Sequence, residues 1–485
     1  MRYLRVLLRN MMMGIRKAIL RDLRACVATQ LFVIIAGVLT VVVVVRQMQG
    51  PMDFVIKENL VSQDNMFATM SPQETKPEVV FKAGMKPYNS SRIPALVYHK
   101  DTFLAFCEAR KDTHHDIGNI HIVLRRGKRT DWNVEWGDLQ IVASKTGFRA
   151  MNPVPIVDKT LDAIILVFTL IPAWVGQWKL VREGVYNQQL MVTRSFDCGE
   201  TWTIPTDITS STLGQMRPSP ALYAPGPGHG IQMASGRLIV PGNYFVKDEI
   251  GPLLHYLDNF HNTTNYANVI FSDDNGDTWF PGGRIPFGMD PFWRPIHGNE
   301  AMAVEVDGGE LCLNSRTLHA DLTRVISFSK NGGETFGVGR LAQELVEPGY
   351  KINNENFVVP SKAAGCQGSM IGFPAPRQHI SSASTWVLFS NPASPKFREH
   401  LSVRLSKDGC RSWSAPWQVF SNFSGYSDLT YFEVRNPVTG LKSQNFAVLF
   451  EAGNRSSHDT LVFKMFNLEA LLEGLDKEHL HFPPA

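Results

Sequence analysis

Cysteine is scarce in this sequence, with six in 485 residues. Cys26 lies in an apolar run, which leaves Cys107, Cys198, Cys312, Cys366 and Cys410. Five is odd, so at least one has no partner within the chain, and no spacing matches a zinc site or a dense disulfide framework. Helical periodicity is equally scarce and is convincing only around Leu468–Leu475. A basic surplus is missing from the bulk of the chain. The formal net charge of +3 is owed to Arg2, Arg5, Arg9, Arg16, Lys17, Arg21 and Arg24, opposed only by Asp22. Everything after them is slightly acidic, with no basic cluster, which excludes nucleic acid as a partner.

Charge is absent altogether from Ala25 to Val45. As a helix this stretch is roughly 30 Å long, the thickness of a hydrocarbon core. The basic residues flank its N-terminal side, so the positive-inside rule keeps residues 1–24 cytoplasmic and sends the rest across the membrane. The expectation is a single-pass type II protein: tail 1–24, transmembrane helix 25–45, stalk 46–79 with Pro51, Pro72 and Pro77, and a folded unit 80–485. A cleaved signal peptide is the rival reading; the apolar run is long for one and lacks a small-residue cleavage site. A mitochondrial presequence would need more serine. The sequons at Asn89, Asn262, Asn422 and Asn454 fit a lumenal or extracellular catalytic unit, at the plasma membrane, Golgi or endosome.

What the folded part has in plenty is short apolar runs bounded by turn residues. Ala163–Leu170, Leu238–Val240, Arg324–Phe328, Trp386–Ser390 and Thr460–Phe466 are examples. They predict an all-β barrel, sandwich or propeller. A repeat narrows the choice. SFDCGETW at Ser195, SDDNGDTW at Ser272 and SKNGGETF at Ser329 share one pattern, and SKDGCRSW at Ser406 keeps it with the glycine one place early. The Asp or Asn satisfies turn amides, glycine takes positive φ, and the aromatic packs the hairpin down. Recurrence at blade-like intervals predicts radially repeated four-stranded units. These octapeptides are structural.

The repeat resembles the Asp box of the animal sialidases, and other stretches resemble that family in order: Arg92-Ile-Pro, Ala105–Arg110 (AFCEAR), Ile122–Gly127 (IVLRRG), Met151-Asn-Pro, Gly226–Gly230 (GPGHG), Gly365–Ser369 (GCQGS) and Gly425–Leu429 (GYSDL). The resemblance covers most of residues 88 to 466. It implies a six-bladed β-propeller with the active site at its central mouth, and a retaining exo-alpha-sialidase acting on gangliosides, glycoproteins or oligosaccharides. No metal and no cofactor is expected.

The chemistry names its residues. A sialic acid carboxylate calls for guanidinium forks, and the resemblance implies Arg92, Arg316 and Arg398. The attack falls on a carbon that already bears a carboxylate, so a neutral tyrosine is a better nucleophile than a second carboxylate; sialidases with a tyrosine nucleophile are one exception to the two-carboxylate rule. The matching residue is Tyr426, and its ordinary pKa of about 10 calls for a base, which the resemblance implies is Glu300. Asp116 matches the general acid, with Asp112 as rival and His114 or His115 nearby. Glu451 is expected to orient Arg92, Arg110 to border the pocket, and Met151 to line the acyl side or simply pack in the core.

Departures from the family pattern fall at Ser91, where an aromatic usually precedes Arg-Ile-Pro, at Gln177, where a glutamate is usual, and at Asn243-Tyr244-Phe245, where a Tyr-x-Tyr pair is usual. All three are expected to touch substrate. Two other readings compete: a sialic-acid-binding propeller that has lost turnover, and a trans-sialidase.

Overall fold

Both faces of most strands are buried, and this is why their sequences read as unbroken apolar runs rather than alternations. In the strand Ala163–Pro172, Ile164, Leu166, Phe168 and Leu170 pack toward the preceding sheet, while Ile165 and Val167 pack toward the following one. The computed structural model describes residues 70–481, apart from 86, 185–186, 248–262, 293–294, 297, 320–321, 353–356, 362–363 and 377–382. Segment 25–45 lies outside the described residues, as does the stalk up to residue 69. Among the described residues no helix is long and apolar enough to cross a membrane.

The architecture is all-β and propeller-like. Four antiparallel sheets follow one another along the chain: Ser90 to Ala143, Phe148 to Asp207, Leu222 to Arg284 and Ala301 to Ala342. A seven-stranded sheet comes last. It contains the 19-residue strand Trp417–Arg435, used in two halves. The first half pairs with Glu399–Ser406 and the second with Lys442–Gly453, the change of partner falling at Phe423. The leading strand or strands of each unit meet those of the units on either side, in a closed ring. Each gap between neighbours is filled by its own apolar cluster.

The ring is closed by sequence ends. Glu78–Lys82 runs antiparallel to Thr460–Asn467, with Val80 and Phe81 buried. Residues 71–79, expected in the stalk, lie along this last strand: Thr75 N donates to Met465 O at 2.8 Å, and Ser71 O and Gln73 N both bond the Asn467 side chain. Polarity misled the reading here, since an outermost strand carries few apolar residues. The C-terminal helix is longer than its periodic core, Leu468–His481. A second helix, Gln177–Glu183, was not expected; two turns are too short to show a period, and it stops on Gly184 at φ 66°. Cys107, Cys312, Cys366 and Cys410 are buried thiols and Cys198 is half-buried.

All four octapeptides form one hairpin. The serine hydroxyl donates to the Asp or Asn two residues on, at 2.8–2.9 Å, and accepts the amide four residues on. The shifted glycine has a simple cause. The fourth and fifth positions both have positive φ in every copy: Cys198 and Gly199, Asn275 and Gly276, Gly332 and Gly333, Gly409 and Cys410. Glycine relieves strain at either. The aromatic then plugs the gap to the preceding unit; Trp279 is fully buried there, and Trp413 meets Phe389 at 5.8 Å. Replacing Trp279 with alanine is expected to cost about 3–5 kcal/mol, against less for the half-buried Trp202. Urea unfolding followed by circular dichroism checks both.

Candidate functional site

Three innermost strands break register at one end of the ring. The breaks fall between Arg92 and Ala95, between Met151 and Val154, and between Ser424 and Ser427. Ile93 and Asn152 take positive φ, 60° and 57°, which is costly for a β-branched isoleucine. Bulges of this kind re-aim side chains, and these direct Arg92, Met151 and Tyr426 into a common cavity of about 260 Å³. The Arg-Ile-Pro and Met-Asn-Pro motifs are therefore backbone devices as much as side-chain ones.

Tyr426 is buried at the floor of the cavity. Its hydroxyl donates to Glu300. Arg316 Nη1 bonds Glu300 Oε2 at 2.7 Å and Tyr426 Oη at 3.3 Å. The guanidinium carbons of Arg92 and Arg398 each stand 5.5 Å from the ring centroid. Burial, and then the Glu300 carboxylate, push the phenol well above its ordinary value, although three guanidiniums pull the other way. The phenol thus holds its proton until a base removes it.

Glu451 has no exposure and binds Arg92 through Nε at 3.0 Å and Nη2 at 3.4 Å. It also accepts the amides of Ile93 and Tyr426, each at 3.1 Å. Burial works against its charge, but Arg92, His458 and these amides hold it below the usual range. A Cβ on Gly425 would overlap this carboxylate, so the glycine of GYSDL is required by close approach. Arg398 is held by Gly365 O at 3.1 Å. In the same motif Gln367 accepts Ser427 N at 2.9 Å. Behind Tyr426, buried Asp428 accepts Leu96 N and Ser369 Oγ and pairs with His229 Nδ1, all at 2.7–2.8 Å. GPGHG, GCQGS and GYSDL thus meet on the axis.

Asp116 lines the cavity, half-exposed, and is held by Arg110 at 2.8 Å. Burial raises its pKa, but Arg110 and Arg92 outweigh this and hold it below the carboxylate range. Its rival Asp112 instead accepts the Asn119 backbone and side-chain amides, at 2.7 and 3.0 Å. Neither Asp112, His114 nor His115 lines the cavity. Arg110 is fully buried and stands behind Asp116, off the cavity wall, paired also with Glu108. Met151, Leu222, Phe245 and Leu318 make an apolar side. Gln177 and Asn243 lie on the wall, but Ser91 does not. Successive residues of a strand face opposite ways, so with Arg92 pointing in, Ser91 points out and is buried.

Sequence reasoning missed several groups. Glu108, within AFCEAR, lines the cavity and accepts Asn152 N at 2.9 Å. Asn299 lies on the wall beside Glu300. His458 feels Arg92, Glu451, Arg398 and Arg110, and burial depresses it to about 4. Glu108 stands within AFCEAR and Asn299 beside Glu300, and only spatial proximity marks His458.

A family model described as a BNR repeat-like domain matches residues 101–433. Human Sialidase-3 is 30% identical over 423 residues, covering 79% of this chain and 90% of its own. Mouse Sialidase-2 is 30% identical, covering 81% and 95%. Mouse Sialidase-4 is 28% identical, covering 79% and 91%. Among solved structures, the Hadza microbial sialidase Hz136 aligns with a TM-score of 0.61 at 23% identity, over 81% of this chain and 69% of that one. Trypanosoma rangeli sialidase in complex with 2,3-difluorosialic acid as a covalent intermediate aligns at 0.60 and 16%, over 86% and 62%. The intramolecular trans-sialidase of Ruminococcus gnavus aligns at 0.57 and 18%, over 81% and 97%. The structural likenesses carry the fold, and the sequence relatives carry the family: the chain belongs to the animal sialidases and is an exo-α-sialidase, a glycoside hydrolase.

Proposed function

We propose that this chain releases terminal sialic acid with retention of configuration, through a covalent intermediate on Tyr426. The observation that carries the reading is the single cluster of Tyr426, Glu300 and three arginines. A buried phenol beside a carboxylate is an activated nucleophile, and three guanidiniums around it suit a substrate that brings its own negative charge.

In the proposed first half, the sialoside carboxylate sits among Arg92, Arg316 and Arg398. Tyr426 Oη bonds to the anomeric carbon as the bond to the leaving oxygen breaks. Glu300 takes the phenolic proton, and Asp116 protonates the departing oxygen. In the second half Asp116 takes a proton from water, the water oxygen bonds to the anomeric carbon, and the phenolate leaves and recovers its proton from Glu300. In a trans-sialidase a sugar hydroxyl replaces that water. A bound carboxylate offsets the charge of Arg92 and so helps Asp116 hold the proton it must deliver.

The finer parts of the reading are ours as well. The long sheet divides at Phe423 into two four-stranded units, which makes six blades with the other four sheets. With residues 25–45 as the anchor, the propeller stands outside the cytoplasm as a type II protein, facing gangliosides, glycoproteins or oligosaccharides.

Tyr426→Phe is expected to lower release of a fluorogenic sialoside on the order of 10³-fold or more. Mass spectrometry after incubation with 2,3-difluorosialic acid should find the sugar on the Tyr426 peptide of the wild type and nowhere in the variant. An adduct on another residue would sink the assignment. Asp116→Asn is expected to cost roughly 10²-fold or more with a sugar leaving group and far less with a good aryl leaving group, because only the former needs a proton. Equal losses on the two substrates would remove Asp116 from that role.

A further inference from the structure

Glu300 stands at the end of a long connection between Arg284 and Ala301 whose described residues form two two-residue strands, Gly288–Met289 and Pro295–Ile296. A base in such a segment needs an anchor on each side. On one side Arg316 supplies it: Asn299 N donates to Arg316 O and Arg316 N to Glu300 O, both at 2.9 Å. On the other side lies the third sheet. Gly298 is pressed so close that a Cβ there would collide with Ala267. Next to it, Asn299 Nδ2 donates to Asn243 Oδ1 at 3.2 Å, and Asn243 Nδ2 reaches Ala224 O at 3.4 Å. Both asparagines are buried, at 6% and 2% exposure. Asn243 sits in the middle of the strand Leu238–Lys247, paired on both sides. It is therefore a rigid post.

We propose that Asn243 is a positioning residue that acts through Asn299: their amide–amide bond ties the Glu300 segment to the third sheet and sets the Glu300 carboxylate against Tyr426. The inference rests on the reading of Glu300 as the base for Tyr426. Two neutral amides suit the task because they bring geometry without a second charge beside the carboxylate. A bond of this kind is expensive to break when its partner stays buried, so the register of the connection is held even though its sequence is irregular. A shift of about 1 Å in a proton acceptor costs on the order of 10²-fold in rate.

The test is a double-mutant cycle of Asn243→Ala and Asn299→Ala on the full chain, with kcat and KM measured separately and melting temperature as a folding check. The expected result is a kcat loss of roughly 10- to 100-fold in each single variant, KM within about 2-fold of wild type, and a double variant no worse than either single one. If Asn243→Ala does not fold, Asn299→Ala, which leaves the third sheet intact, carries the test alone: a kcat within about 2-fold of wild type would then overturn the proposal. A raised KM with kcat unchanged would overturn the proposal, because it would make the amides substrate contacts only. Additive losses would overturn it too, since the two residues would then act separately. Tyr426→Phe and Glu300→Gln, assayed alongside, separate the two levels: if they retain activity the underlying reading fails, and if they lose it while Asn243→Ala keeps its kcat, only the positioning inference fails.

Discussion

One buried carboxylate joins the two ends of the ring to the chemistry. Glu451 receives the fork of Arg92, the amide of Ile93 and the amide of Tyr426. Arg92 and Ile93 belong to the first sheet, Tyr426 and Glu451 to the last. The contact is therefore the seam of the ring as well as the brace of the site. Breaking a buried ion pair by removing one partner leaves the other charge stranded, at a typical cost of 3–5 kcal/mol. Nearby, Glu78–Lys82 closes the outer edge of the same last unit. Stability and function thus share one place, where the two ends of the chain's β-structure meet.

The electrostatics follow from burial. Arg92 and Arg316 have lost most of their water, yet their carboxylate partners Glu451 and Glu300 keep both firmly charged. Each partner stands beside its arginine, which leaves positive character facing the cavity where a substrate carboxylate can meet it. A carboxylate in Tyr426's place would compete with an anionic ligand for those same guanidiniums. A phenol does not, because burial keeps it protonated. Asp116 stands apart from this cluster, paired to the fully buried Arg110 at its back.

Several details were legible only in part, for identifiable reasons. The fourth octapeptide has its glycine one place early, and the reason is that the turn has two left-handed positions and a glycine suits either. Asp116 was preferred to its rival Asp112 on the resemblance; the chain folds Asp112 back onto Asn119 and leaves Asp116 against Arg110. Ser91 was read as a contact because it stands where the family usually has an aromatic before Arg-Ile-Pro, and strand alternation turns it away. Asn299 and His458 carried no pattern at all, since each gains its place from a neighbour far along the chain.

The order of motifs in the sequence determined the family, and the repeated hairpin and the candidates Tyr426, Glu300 and the arginines were also legible there, because short-range patterns encode turns and strand faces directly. The tertiary structure decided which residues face the cavity and which stand behind it. Arg110 braces from outside the wall, Glu451 binds two strands at once, and Asn243 reaches Asn299 across a gap between sheets. The longest of these relations, Ile93 to Glu451 and Asn243 to Asn299, join residues 358 and 56 positions apart. They exist only because the ring brings its innermost strands together at one mouth, and no local spacing records that convergence.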